Sequence, residues 1–214
     1  MYRKFAKPAA VALLVSGGAI ALSSFHTQAA PAAPAAIPLT GKWVFDPAHS
    51  SVNFSIKHFG ISEVHGHFDT FSGTIVADAA HPSKSSVDVT INAASLDTGL
   101  GPREADVKGK NYLDTDTYPT ITYKSTSVKK TGKGSYLAEG YLTIHGVSKV
   151  VALPFTLAGP ILDPFGGTRI GIVTSTTIDR VAYGVGGNGK LADGSFAIGT
   201  DVPIDISVEA TPAK

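Results

Sequence analysis

Cysteine is absent from all 214 residues. That excludes disulfide scaffolding, thiolate nucleophiles, Cys-ligated zinc and iron–sulfur clusters together. Methionine occurs once, at Met1. A chain that has lost its start therefore holds no readily oxidised sulfur, which suits an oxidising compartment. Charge of one sign is also missing: 18 basic residues face 17 acidic ones, a net of +1. No strong field favours nucleic acid or an anionic membrane surface. What is present is 43% hydrophobic against 16% charged residues, with 23 glycines and 13 prolines. Such a chain can build a sizeable core with many turns, and it reads as one β-rich domain rather than a disordered tail or a helical bundle.

The N-terminus reads as a targeting segment. Arg3, Lys4 and Lys7 precede an apolar run from Ala9 to Leu22, and Ser23 to Gln28 are polar. Thr27-Gln28-Ala29 offers small residues where a signal peptidase cuts. This anatomy predicts a cleaved secretory signal peptide over residues 1–29. The alternative is a membrane anchor, but the run falls short of the about 20 residues a spanning helix needs, and Gly17-Gly18 weakens it. A lipid anchor on a terminal cysteine is excluded. Cleavage leaves 15 basic against 17 acidic residues. Residues 30–40, rich in proline and alanine, read as an extended spacer, and the folded domain is expected over residues 41–211.

Beyond Gly41 the dominant signal is alternation with period two, the mark of strands with one buried face. Val52, Phe54, Ile56 and His58 share a face. Val64 and Phe68 point together, away from Glu63, His65 and His67, and Asp69 to Gly73 reads as a bend before the strand resumes. Val87, Val89 and Ile91 make the next stripe, then Ile121 and Tyr123. Tyr136, Leu142 and Ile144 follow, then Val151 to Leu157, Ile170 to Ile178 and Val202 to Val208. Between Asp97 and Tyr118 the pattern breaks. Pro102 near a start and Glu104 in the first turn predict a short helix over Pro102–Lys108. Tyr183 to Gly199 is glycine-rich and reads as a long ordered loop. About eight antiparallel strands with one helical insertion imply an all-β barrel or sandwich, and a barrel hides the edges that long strands would expose.

Several polar groups bear on chemistry. His65 and His67 share a strand face and could reach one metal, with His49 or His58 completing a site, which would suit a metal-dependent antioxidant enzyme on a sandwich. The alternative is that both histidines occupy the wet face, with His58 pointing inward and away from them. His145 lies between Thr143 and Ser148 on a tight hairpin. Its bland reading, that these side chains bond the turn backbone, outweighs a catalytic one. Arg169 and Arg180 near strand ends are either anion hooks or partners of a carboxylate or loop carbonyl. No pair of carboxylates converges for acid–base work, and the glycines of Tyr183–Gly199 follow no strand-to-helix pattern, so no nucleotide motif is present.

Taken in order, Trp43-Val44-Phe45-Asp46-Pro47-Ala48-His49-Ser50, Val52-Asn53-Phe54-x-Ile56-x-His58-x-Gly60 and Gly66-x-Phe68-x-x-Phe71-x-Gly73 resemble the YceI-like family. So do Asp97-Thr98, Arg103, Leu113-Asp114 with Tyr118-Pro119, and the run Leu142 to Lys149. Gly166-Gly167-x-Arg169-x-Gly171 and Val202-x-Ile204-x-Ile206-x-Val208-Glu209 complete the set, which spans nearly the whole chain after the spacer. The resemblance implies an extended lipocalin-like antiparallel β-barrel, exported to the periplasm, that binds polyisoprenoid or other long-chain amphiphiles without catalysis. It also implies association with stress responses and, as some members are dimeric, a homodimer. One departure stands out: Arg103-Glu104-Ala105-Asp106-Val107 replaces the family's Arg-Asp-x-His-Leu. Asp106 substitutes an anion for a possible cation, which disfavours a pyrophosphate head and tolerates a quinone or fatty amide.

The inward stripes then nominate a ligand-binding lining of Phe54, Ile56, His58, Phe68, Phe71, Val89, Ile91, Ile121, Tyr123, Leu142, Ile144 and Phe155. For Trp43 and Phe45, plugging one end and touching ligand are equally open. The expected ligand is an isoprenoid or fatty-chain lipid, with no cofactor, resident metal or nucleic acid.

Overall fold

The computed structural model describes residues 39–214. The expected signal peptide and nearly all of the spacer lie outside them. Eleven strands and one α-helix follow in order: β1 (Thr40–Phe45), β2 (Ser51–His58), β3 (Ser62–Phe68), β4 (Phe71–Asp78), β5 (Ser86–Asn92), β6 (Leu96–Asp97), α1 (Gly101–Lys108), β7 (Thr120–Gly132), β8 (Ser135–Ile144), β9 (Val147–Leu162), β10 (Thr168–Asp179) and β11 (Asp201–Pro212). All pairings are antiparallel. Neighbours run β1-β4-β5-β7-β8-β9-β10-β11, and β11 pairs back onto β1 through Val44↔Thr211 and Phe45↔Ala210. The sheet is therefore closed, an eight-stranded barrel rather than a sandwich.

The remaining strands prolong the first half of the barrel at one end. β2 continues β1 beyond a short 3₁₀ turn at Pro47–His49, β4 continues β3 beyond Asp69-Thr70, and β6 continues β5 beyond a 3₁₀ turn at Ala93–Ser95. β2 pairs with the Ile204–Ser207 stretch of β11, β3 with β2, and β6 with β3. Three long strands are thus each broken once. The breaks are stitched by polar groups. Asp69 N–H donates to the Ser95 carbonyl (3.1 Å) and Thr70 N–H to Ser95 Oγ (3.0 Å). Ser50 Oγ donates to the Asp46 carbonyl (2.7 Å) and accepts from Glu209 N–H (3.0 Å). The bend expected over Asp69 to Gly73 is confined to two residues, because Phe71 is buried and starts β4 in register with Ile91.

The alternation appears as burial. Val52, Ile75, Ile91, Ile121, Tyr123, Ile144, Ile170 and Val208 are buried, while Asn53, His65, His67, Asp88, Lys124 and Asp205 on the opposite faces are exposed. Trp43, only 2% exposed, packs with Ile75, Ala77, Ile170, Val208 and Ala210 and fills the barrel at the end opposite α1. The helix begins one residue before the expected Pro102. The β8–β9 connection is a two-residue turn, with His145 at φ +50° and Gly146 at +73°, the left-handed pair that matches strand twist.

Candidate ligand-binding cavity

The barrel is hollow. A wide compartment of about 510 Å³ lies at the α1 end and a narrow one of about 100 Å³ lies deeper. A close-packed core would leave no space of this size. The strand breaks divide the two. β2, β3 and β6 wall the wide compartment through Phe54, Ile56, Val64, Phe68 and Leu96. β1, β4 and β5 wall the narrow one through Phe45, Ile75, Val87, Val89 and Ile91. Ile121 alone, among the described residues, lines both.

The sequence-derived lining distributes over this plan. Phe54, Ile56, His58, Phe68, Ile121 and Ile144 line the wide compartment, and Phe54 meets Phe68 with ring centroids 5.7 Å apart. Val89, Ile91, Ile121, Tyr123, Leu142 and Phe155 line the narrow one. Phe71 is the exception. It belongs to the buried cluster of Val52, Ile91, Ile121 and Ile144, and it reaches only a recess beside Pro47 and Gly73. Its place on the β4 side of the strand break turns it into packing. Of the two open residues, Trp43 fills the far end and Phe45 touches the narrow compartment.

Two hydroxyls of the narrow compartment are bonded to protein carbonyls. The Tyr123 hydroxyl donates to the Ala138 carbonyl (3.1 Å) and Thr174 Oγ1 to that of Pro154 (2.8 Å). Burial pushes the Tyr123 phenol up to about 12, so it stays neutral.

The mouth of the wide compartment is polar, with Thr98, Arg103, Asp106, His58 and Arg180 in its wall. Arg103 donates from Nε to Thr98 Oγ1 (3.0 Å) and from Nη2 to the Thr98 carbonyl (2.7 Å). The Glu104 carboxylate accepts from Thr98 N–H (3.0 Å) and Leu100 N–H (3.1 Å), with the Thr98 amide chiefly holding its pKa down. Together they anchor the start of α1 across the opening. Among the described residues, Arg103 Nη1 and the Asp106 carboxylate have no hydrogen-bond partner, one turn apart on the helix. The His58 ring lies 3.8 Å from that of Phe59.

Arg180 is 4% exposed and serves loop carbonyls. Nε donates to Gly199 (2.8 Å). Nη1 donates to Val185 (3.0 Å), Gly186 and Asn188 Oδ1, and Nη2 to Gly187 (3.1 Å) and Ile198 (2.9 Å). Every N–H is engaged, so the guanidinium orders the Tyr183–Gly199 loop and has no donor left for an anion. Burial lowers its pKa, partly offset by Tyr112 and Asp179. Arg169 instead meets carboxylates: Asp163 (2.6 Å), Asp46 (2.8 Å) and Glu209.

The histidines occupy separate settings. His67 Nε2 lies 3.0 Å from Asp69, and Asp97 on the paired strand brings a third potential donor within 4.8 Å. His65 is exposed and outside that group. His49 Nδ1 lies 3.0 Å from Asp46, and His58 faces the cavity. At the β8–β9 hairpin, the expectation that Thr143 and Ser148 bond the turn backbone is corrected: their hydroxyls bond each other at 2.6 Å. They are direct cross-strand partners in β8 and β9, so their side chains meet first. The His145 ring packs on Tyr118 at 4.4 Å.

The cavity walls that sequence reading did not nominate fall into two groups. Val52, Leu153, Ile172, Ile178, Val202, Ile206 and Val208 share the parity of the stripes and were legible as inward. Val107, Tyr112, Leu113, Val185 and Ile198 come from α1 and loops, where no periodicity marks the inward face.

A closed, hollow, eight-stranded antiparallel barrel with a helix over its mouth is a lipocalin-like binding scaffold. Residues 43–210 match the YceI-like domain, and the chain belongs to that family. The UPF0312 protein of Shewanella oneidensis is 36% identical over 166 residues, covering 78% of this chain and 84% of that one. The crystal structure of Burkholderia cenocepacia BcnA superposes with a TM-score of 0.69 at 30% identity, covering 78% of this chain and 99% of that one. A polyisoprenoid binding domain from Saccharophagus degradans shares the fold, with a TM-score of 0.61 at 17% identity over 82% of this chain and 100% of that one.

Proposed function

We propose that this protein binds a long-chain isoprenoid or fatty amphiphile inside the barrel and carries or sequesters it without catalysis, as an exported periplasmic protein. The observation that carries this reading is the pair of apolar compartments behind one polar mouth. Each methylene moved from water into such walls is worth about 0.8 kcal/mol, so an isoprenoid tail needs few polar contacts for tight binding. The name of the Saccharophagus degradans domain, a polyisoprenoid binding domain, supports the ligand class. No helix among the described residues is long and apolar enough to cross a membrane.

The head group belongs at the mouth, against the free Nη1 of Arg103 and the carboxylate of Asp106. A donor beside an acceptor suits a neutral polar head, such as a quinone or a fatty amide, and a pyrophosphate would face the Asp106 anion. Phe54, Ile56, Phe68 and Ile144 hold the proximal chain. Phe54→Asp and Ile144→Asp each place a carboxylate in the apolar wall and are expected to abolish retention of a bound quinone through gel filtration. Normal retention by a folded variant would refute the lining assignment.

A further inference from the structure

The two compartments lie end to end and share a single wall residue. Ile121 is 7% exposed, stands opposite Ile91 on β5, and Ile91 stands opposite Phe71 on β4. Val52 and Ile144 belong to the same buried cluster. These side chains form a girdle at the level where the long strands break. Above it β2, β3 and β6 add to the wall; below it β1, β4 and β5 do, joined by Val52 of β2. A chain anchored at the mouth fills the wide compartment first and must pass Ile121 to use the narrow one.

We infer that Ile121 sets the chain length this protein accepts. The inference rests on the carrier reading above and deepens it: residue 121 discriminates among amphiphiles that share a head group and differ in tail length. Short tails end above the girdle and make no use of what lies below. Long tails thread past Ile121 into a compartment walled chiefly by aliphatic and aromatic side chains, with the Tyr123 and Thr174 hydroxyls already bonded to protein carbonyls, which suits apolar segments. A bulkier side chain at 121 closes the passage, leaving the distal tail in water, while a smaller one widens it.

The test is a calorimetric titration of the delipidated protein with ubiquinones carrying two, four and eight isoprene units. Ile121→Trp is expected to weaken the eight-unit quinone at least about tenfold more than it weakens the two-unit quinone. Ile121→Ala is expected to do the reverse, strengthening only the long chain, and it keeps the test decisive if the tryptophan variant fails to fold. A uniform response of all three quinones to both substitutions would overturn the ruler and leave the carrier reading standing. Failure of the unsubstituted protein to bind any of them would overturn the carrier reading, and the ruler with it.

Discussion

Arg180 brings a positive charge into the wall of an apolar cavity with no carboxylate to pair with it. Six acceptors in the loop and its flanks take its place: the carbonyls of Val185, Gly186, Gly187, Ile198 and Gly199, and the Asn188 side chain. Charge-assisted bonds of this kind are stronger than neutral ones, and orphaning them is costly. Arg180→Met is expected to lower unfolding stability by about 2–4 kcal/mol, read from urea midpoints. Arg180→Lys should rescue little, since three donors cannot serve six acceptors in a planar fork. An unchanged midpoint would contradict this role. Arg169 makes a different prediction. Its guanidinium chiefly depresses the Asp163 pKa, while that of Asp46 is depressed first by His49 and then by Arg169. A carboxyl whose folded pKa is depressed contributes stability present above its unfolded value, about 4, and lost as pH falls through the folded value. Stability should therefore fall on acidification below about pH 4, and Arg169→Ala should flatten that limb of the urea-midpoint profile. An unaltered acid limb in the variant would refute it. Both arginines were legible as residues that bind either carboxylates or carbonyls. Which partner each takes depends on loops distant in the chain, and no local spacing encodes that.

At the scale of elements, the breaks matter more than the strands. Alternation makes Val52–His58 and Val87–Ile91 readable as strands because the pleat puts every second side chain on one face. The helix was readable from Pro102 and Glu104. One of the three breaks was read, as the bend over Asp69 to Gly73, while those at Pro47–His49 and Ala93–Ser95 were not. Asp69-Thr70 and Ala93–Ser95 contain neither glycine nor proline, and their geometry comes from hydrogen bonds to each other. Phe71 was misassigned for this reason, since a break moves a residue from lining to packing without changing its parity. Gly66 shows how tightly the widened end is built. A Cβ there would strike the Phe54 ring and lie 2.9 Å from the Asp97 carbonyl. Gly66→Ala is expected to push Phe54 into the wide compartment. Binding of even a short-chain quinone should weaken severalfold, with a stability loss of about 1–3 kcal/mol from overpacking. Wild-type affinity in Gly66→Ala would show that Phe54 does not bound the ligand space.

For the whole molecule, the decisive property is that the barrel encloses a cavity where a small barrel is normally filled by its own side chains. Sequence could not supply this. A lining residue and a core residue are the same types at the same parity, and whether they meet across the barrel depends on its diameter. Strand number and stagger set that diameter, and both are tertiary features. An apolar tail would supply dispersion contacts to cavity walls that meet no protein atoms across the barrel. Stability should therefore rise with quinone concentration, by about 2.7 kcal/mol at a free concentration a hundred times Kd, and the melting temperature should rise with it. A concentration-independent melting temperature would oppose internal binding. The most direct measurement is mass spectrometry of an organic extract from protein purified without detergent from its native host. The account predicts one stoichiometric long-chain species with an uncharged polar head. An empty extract, together with no uptake of added quinone or fatty amide, would contradict it.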